Sequence, residues 1–241
     1  MKKTMLAVAL SVGMVSPLVN AVELKTEEQK VSYSVGLMVG EQLKSIEKFD
    51  FEAFLAAAKV VYQDKEPQMS VEEVRTVMKA FQDRKMEEKK AEFTKLSEDN
   101  MQKGQAYMAE NGKKKGVKTT DTGLQYEELV AGEGAMPKAT DTVKVHYRGT
   151  LIDGKEFDSS YARNEPVSFP LDGVIPGWTE GLQLIKEGGK ARLVIPSDLA
   201  YGPGGMGNAI GPNETLVFEV ELLEVNPTEA TAGAAGEPAA E

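Results

Sequence analysis

Between Pro67 and Pro137 the chain contains no proline, and the first part of that stretch carries helical spacing. Ser70 and Glu73 have the form of a capping box, with Val74, Val77, Met78 and Phe81 as an apolar stripe behind it. KMEEKKAE, residues 85 to 92, then follows, polar on almost every side, before Phe93, Leu96 and Met101. A helix from Ser70 to Asn111 would be about 60 Å long at about 1.5 Å per residue. Its charged middle offers no apolar face with which to pack, so it is expected to run through solvent as an arm. Charge mixing of the Glu87–Lys90 and Glu88–Lys89 kind adds only about a few tenths of a kcal/mol per well-spaced pair. An arm of this kind divides the chain into a helical half and a β-rich half.

Ahead of the arm, Thr26 and Gln29 form another capping-box pattern, and Val31, Val35, Met38 and Gln42 to Leu43 keep helical spacing. Gly36 and Gly40 are four apart and are read as tolerated small residues. Asp50 is placed as the cap of a second helix that buries Phe51, Phe54, Leu55, Ala58 and Val61 and ends before Pro67. Two short helices with so few large apolar side chains make a marginal core for one chain, and self-association is the expected remedy. Gly112 and Gly116 close the long helix, and Lys113 to Lys115 suit its negative end.

Beyond this junction, strands are expected near Leu124 to Val130, Thr142 to Gly149, Val167 to Leu171, Lys190 to Ile195 and Leu216 to Val225. Trp178 to Lys186 is the one good helix among them. Asp172-Gly173, Gly188-Gly189 and the loop YGPGGMGNAIGPNE carry the turns.

Composition removes several chemistries. The chain has no cysteine and one histidine, His146, which excludes disulfides, cysteine nucleophiles and Cys/His zinc sites. His146 lies in an alternating run and points away from the face of Val145 and Tyr147, as a surface strand residue. No metal or cofactor is expected. Lys2 and Lys3, the apolar run Met5 to Val15 and Val19-Asn20-Ala21 read as an export signal, residues 1–21, too short to span a bilayer. Its removal takes the net charge from -10 to -12, which argues against nucleic acid as partner. No other segment is apolar enough to cross a membrane. The mature chain is expected to be exported, periplasmic and soluble, with association to the outer membrane a further option. Residues 228–241, small, polar and acidic, are expected to be disordered.

One stretch carries most of the functional information. It reads VHYRGTLIDGKEFDSS, then VIPGWTEGL, ARLVIPSDLAYG and TLVFEVELLEV. Aromatic and aliphatic residues stand beside turn glycines with few acid–base groups, the composition of an apolar socket. Tyr147, Phe157, Asp158, Val174, Ile175, Trp178, Tyr201 and Phe218 occur in the order and near-spacing of the FKBP-type peptidyl-prolyl isomerases, which residues 113–227 resemble. The resemblance implies an α+β fold with an antiparallel sheet wrapped around one helix and the pocket between them. It also implies Asp158, Tyr201, Phe157 and Phe218 as catalytic residues. Tyr147, Val167, Phe169, Val174, Ile175, Trp178, Met206 and Ile210 would bind substrate. Trp178 is then the floor for the prolyl ring, and the Ile175 N–H and Tyr201 hydroxyl hold substrate carbonyls. Two positions depart from the common pattern and alter the rim: Val167 follows Pro166 where an aromatic is frequent, and Met206 stands where the flap often has histidine.

The layout of the whole chain resembles the exported bacterial FkpA and macrophage infectivity potentiator group. That likeness implies an all-α dimerisation domain with its connecting helix over residues 22–112 and a homodimer. The expected partners are unfolded, proline-containing polypeptides and macrolide inhibitors. Isomerisation of X–Pro bonds is the implied activity, and holding of unfolded exported chains, bivalently on two arms, is the alternative.

Overall fold

The computed structural model describes residues 23–227, so the expected export signal and the expected disordered tail lie outside the described residues. These residues fall into two compact units that divide at Val74/Arg75, inside one continuous helix.

The first unit contains α1 (Glu27–Leu43), α2 (Phe51–Tyr62) and the start of α3 (Val71–Asn111). Each begins at the expected cap. Thr26 and Gln29 close a reciprocal capping box, Asp50 accepts from the Ala53 N–H at 2.9 Å, and Ser70 and Glu73 exchange bonds in the same way. Phe49, Phe51 and Phe54 cluster with ring centroids 5.6–6.2 Å apart. Neither α1 nor α2 contains a buried residue. Within one chain the expected burial of Phe51, Phe54, Leu55, Ala58 and Val61 therefore does not occur; Val61 is 67% exposed and Met38 71%. Helices this short cannot enclose a core without a partner surface.

Through residues 85 to 92, α3 is solvent-exposed apart from a half-buried Lys85, as its polarity requires. Glu88 pairs with Lys85 at 2.7 Å and with Arg84 at 3.9 Å, rather than with Lys89. Adjacent helical residues point about 100° apart, whereas residues three and four apart are neighbours. The helix ends at Asn111, and Gly116 turns the chain with φ +96°, a conformation that favours glycine.

The second unit is built on a seven-stranded antiparallel sheet. Its strands are β1 (Val117–Thr119), β2 (Gln125–Val130), β3 (Thr142–Leu151), β4 (Glu156–Ser159), β5 (Val167–Pro170), β6 (Lys190–Ile195) and β7 (Leu216–Val225). They lie in the order β1-β2-β6-β7-β3-β4, and β5 pairs with the start of β3. In β3, Val143, Val145, Tyr147 and Leu151 face inward in alternation, as a half-buried strand demands. α4 (Pro176–Leu182) is the α-helix covering the sheet, and Gly177, Trp178, Gly181 and Leu182 are its buried positions.

Three expectations change. β1 and β4 were absent from the reading of the sequence, because three or four residues are too few to display a period of two. The helix begins two residues early, since Pro176 presets its first φ, and stops at Leu182. Leu184 and Ile185 continue only as tight turns onto Gly181 and Leu182, which brings Ile185 into the core before Gly188. No helix among the described residues is long and apolar enough to cross a membrane.

Leu193, fully buried on β6, carries much of this packing. Leu193→Ala is expected to destabilise the second unit by about 2–5 kcal/mol. Urea unfolding followed by the fluorescence of Trp178, the one tryptophan of the chain, measures that unit directly.

Candidate functional site

Glycines decide how closely the aromatic side chains of the second unit meet. A Cβ at Gly149 would lie 2.7 Å from Phe218 and 2.8 Å from Phe157, so only glycine lets these rings approach, edge to face, at 5.5 Å. On the other side, a Cβ at Gly177 would meet Ile195 at 2.3 Å, and one at Gly181 would meet Leu193 at 2.6 Å. α4 therefore sits hard against β6 and drives Trp178 into the cluster. Its indole stands edge to face with Tyr147 at 5.1 Å and with Phe218 at 5.0 Å, and is tilted against Phe169 at 5.1 Å. The Trp178 Nε1–H is buried and has no hydrogen-bond partner among the described residues.

Of the twelve residues singled out in the sequence, eleven lie in the hydrophobic core of the second unit or pack against it. Tyr147, Trp178, Phe218 and Ile210 belong to the buried core, and Phe157, Val167, Phe169, Val174, Ile175, Tyr201 and Met206 pack half-buried against it. Asp158 joins through hydrogen bonds. The segment before α4 turns its backbone to fixed tasks: the Ile175 carbonyl accepts from the N–H groups of Trp178 and Thr179, and Thr179 Oγ1 donates to the Leu171 carbonyl at 2.6 Å. The Ile175 N–H and the Tyr201 hydroxyl have no hydrogen-bond acceptor among the described residues. Met206 and Ile210 bridge each other by two backbone bonds across a tight loop. A Cβ at Gly205, which has φ +65°, would strike the Ile210 carbonyl at 2.3 Å.

Asp158 is held from two sides. Tyr147 Oη donates to its Oδ2 at 2.5 Å, Arg163 Nη1 donates to its Oδ1 at 2.6 Å, and Arg163 Nη2 donates to Tyr147 Oη at 3.0 Å. Burial, reinforced by the Asp158 carboxylate, pushes the Tyr147 phenol up to about 12. Burial also raises Tyr201, with the Asp158 charge as a smaller contribution. The hydrogen bond to Asp158, followed by that to Tyr147, raises Arg163 further. Reading the sequence did not find Arg163: one arginine in a polar turn has no signature, and its partner on β3 becomes visible only once the strands pair. His146 lies on the opposite face, as expected, yet is more than a surface residue. Its Nδ1 is 2.9 Å from Ser160 Oγ, which accepts the Tyr147 N–H at 2.8 Å, and its ring stacks on Tyr161 at 4.7 Å.

The phenols give a test of this geometry. Tyr147 and Tyr161 are both pushed up to about 12, by burial first in each case. A phenol whose pKa is higher folded than unfolded lends stability that is complete below the unfolded value and is lost as pH rises through the folded one. Stability is therefore expected to hold to pH ~10 and to fall between pH ~10 and ~12. Absorbance titration of Tyr147→Phe should lose one phenolate from the late component; loss from the component that titrates earliest would contradict the buried pairing with Asp158.

Known proteins place this architecture. Residues 133–223 match the family model of the FKBP-type peptidyl-prolyl cis-trans isomerases, and residues 28–127 match that of the domain amino-terminal to them. The chain is 44% identical to the FKBP-type peptidyl-prolyl cis-trans isomerase FkpA of Escherichia coli, over 94% of this chain and 91% of the relative. It is 39% identical to the outer membrane protein MIP of Legionella longbeachae, over 91% and 94%. The crystal structure of FkpA from Escherichia coli superposes with a TM-score of 0.73 at 46% identity, covering 86% of this chain and all of that one. With its sheet, its covering helix and its helical N-terminal half in common with these relatives, the chain belongs to the FKBP-type peptidyl-prolyl cis-trans isomerases.

Proposed function

We propose that the chain accelerates rotation about X–Pro bonds during the folding of exported proteins, without covalent or acid–base chemistry. The observation that carries this reading is the aromatic cluster of Tyr147, Phe157, Phe169, Trp178 and Phe218, with two donors on residues packed against the same core, the Ile175 N–H and the Tyr201 hydroxyl, that lack acceptors among the described residues. An X–Pro segment offers what such a site lacks: an apolar ring for the socket and carbonyls for the donors. The barrier to rotation is about 18–20 kcal/mol because resonance keeps the amide planar. Twisting removes that resonance and makes the amide less dipolar, so a dry apolar site disfavours the planar state more than the twisted one. Each tenfold gain in rate needs about 1.4 kcal/mol of such differential stabilisation. Tyr147 and Tyr201, with raised pKa values, remain protonated donors at neutral pH.

In this reading Trp178 is the floor, with Tyr147, Phe157, Val174 and Phe218 as walls and Val167, Phe169, Met206 and Ile210 at the rim. Ile175 and Tyr201 hold substrate carbonyls. Asp158, fixed by Tyr147 and Arg163, orients its neighbours or faces the twisting amide. Macrolide inhibitors would occupy the same socket.

The exposed apolar side chains of α1 and α2 support a second element, a homodimer formed within residues 22–112, while residues 113–227 contain the pocket. Residues 1–21 act as leader and direct the chain to the periplasm. The same exposed faces favour the alternative that the protein chiefly holds unfolded clients, with the pocket serving as one of the contacts.

Three measurements separate these readings. Asp158→Leu and Phe218→Ala should each lower kcat/KM for a short X–Pro peptide by about tenfold or more while helical content stays constant; unchanged turnover in both would place the pocket elsewhere. Glutamate at Leu55 and Val61 in the full chain should give monomers that still isomerise the short peptide, and sedimentation reads the outcome. A proline-free client protected from aggregation, with no macrolide-sensitive rate on the peptide, would leave only the holding function.

A further inference from the structure

The loop from Tyr201 to Thr215 is fastened to α3 by contacts between residues far apart in the chain. Asn100 Nδ2 donates to the Pro212 carbonyl at 2.9 Å, and Asn213 Nδ2 donates to Ser97 Oγ at 2.7 Å, across 112 and 116 residues. One turn on, Gly104 faces Thr215 so closely that a Cβ at residue 104 would lie 2.2 Å from Thr215 Oγ1. Ser97, Asn100 and Gly104 recur at spacings of three and four, so they share one helix face. Asn100, Gly104 and Asn111 are the buried residues of α3, Tyr107 and Met108 are half-buried on the same face, and Leu96 and Met101 stay exposed. The contacts of Ser97, Asn100 and Gly104 themselves add little hydrophobic energy. They specify a position.

The fastening leads to the pocket. Asn213 adopts φ +55°, a left-handed conformation that asparagine tolerates, and its N–H donates to the Gly202 carbonyl at 2.9 Å. A line of bonds thus runs from Ser97 through Asn213 to the residue beside Tyr201. Met206 and Ile210 ride on the same loop. α3 is fixed in turn to β2, where Gln125 Nε2 donates to the Met108 carbonyl at 2.7 Å and Asn111 Nδ2 donates to Gln125 Oε1 at 2.9 Å.

We propose that Ser97, Asn100 and Gly104 are positioning residues for the pocket, holding the loop that carries Tyr201, Met206 and Ile210 from a helix outside the sheet. The kinetic consequence rests on the isomerase reading above; the anchoring of the loop does not. A substrate carbonyl bound by Tyr201 depends on that hydroxyl staying in place, so loosening the anchor should lower turnover without touching any group at the socket.

The test uses the full chain with Gly104→Ala. Alanine is the better helix former, so α3 is not weakened, but its Cβ must displace Thr215. Amide exchange at Met206 and Ile210, whose N–H groups bond to each other's carbonyls, should accelerate about tenfold. The kcat/KM for a short X–Pro peptide should fall about tenfold. Adding Thr215→Ala removes the atom struck first and should return both readings to within about twofold of the unsubstituted protein. Asn100→Ala should reproduce the loss without added bulk. Unaltered loop exchange in Gly104→Ala, no recovery in the double variant, or equal acceleration at the β6 amides would each overturn the proposal. If the unsubstituted protein leaves the peptide rate at background, the isomerase reading fails, and the exchange measurements still decide whether α3 anchors the loop.

Discussion

The seat of α4 on β6 is the constraint on which the rest of the second unit depends. Gly177 and Gly181 leave no space for a methyl group between the helix and Ile195 or Leu193. At that separation the indole of Trp178 reaches past the helix and meets Tyr147, Phe169 and Phe218 together. The same placement ends the chain before the helix with Ile175 in extended geometry, its carbonyl used by the helix and its N–H left over. One packing distance thus produces both the aromatic cluster around Trp178 and the N–H of Ile175 beside it.

The polar part of the site follows from strand pairing. β3 and β4 bring Gly149 opposite Asp158, which sets the carboxylate within reach of the Tyr147 phenol two residues back along β3. Arg163 completes the triangle from the turn that follows. Charge and hydrogen bonds there hold Asp158 in one orientation, while burial keeps Tyr147 protonated well above neutral pH.

The two units treat apolar surface differently. In the second, β3 and β7 turn their large apolar groups inward. In the first, helices with well-formed caps display theirs to solvent. Local signals are satisfied in both, since capping and spacing act within a few residues. A hydrophobic core needs enclosed volume, which two short helices do not provide. The second portion of α3 is joined to the loop before β7 through serine, asparagine and glycine and to β2 through Met108 and Asn111, so an apolar stripe alone is a poor guide to the face of that helix that docks.

By itself, the sequence determined the features that depend on neighbours along the chain. These are the three N-terminal caps, the long uninterrupted helix with its solvated middle, five of the strands, and the ordered set of aromatic residues that marks the family. The tertiary structure alone decided β1 and β4, whose few residues form strands only because β2 and β3 offer free edges. It also decided the early end of the covering helix, the Arg163 bracket on Asp158, the His146–Ser160 support of Tyr147, and the hold of Ser97, Asn100 and Gly104 on a loop more than a hundred residues away. Periodicity and capping are short-range and leave a record in composition. Hydrogen bonds between distant segments, and glycines that matter only because of what packs against them, leave none until the chain has closed.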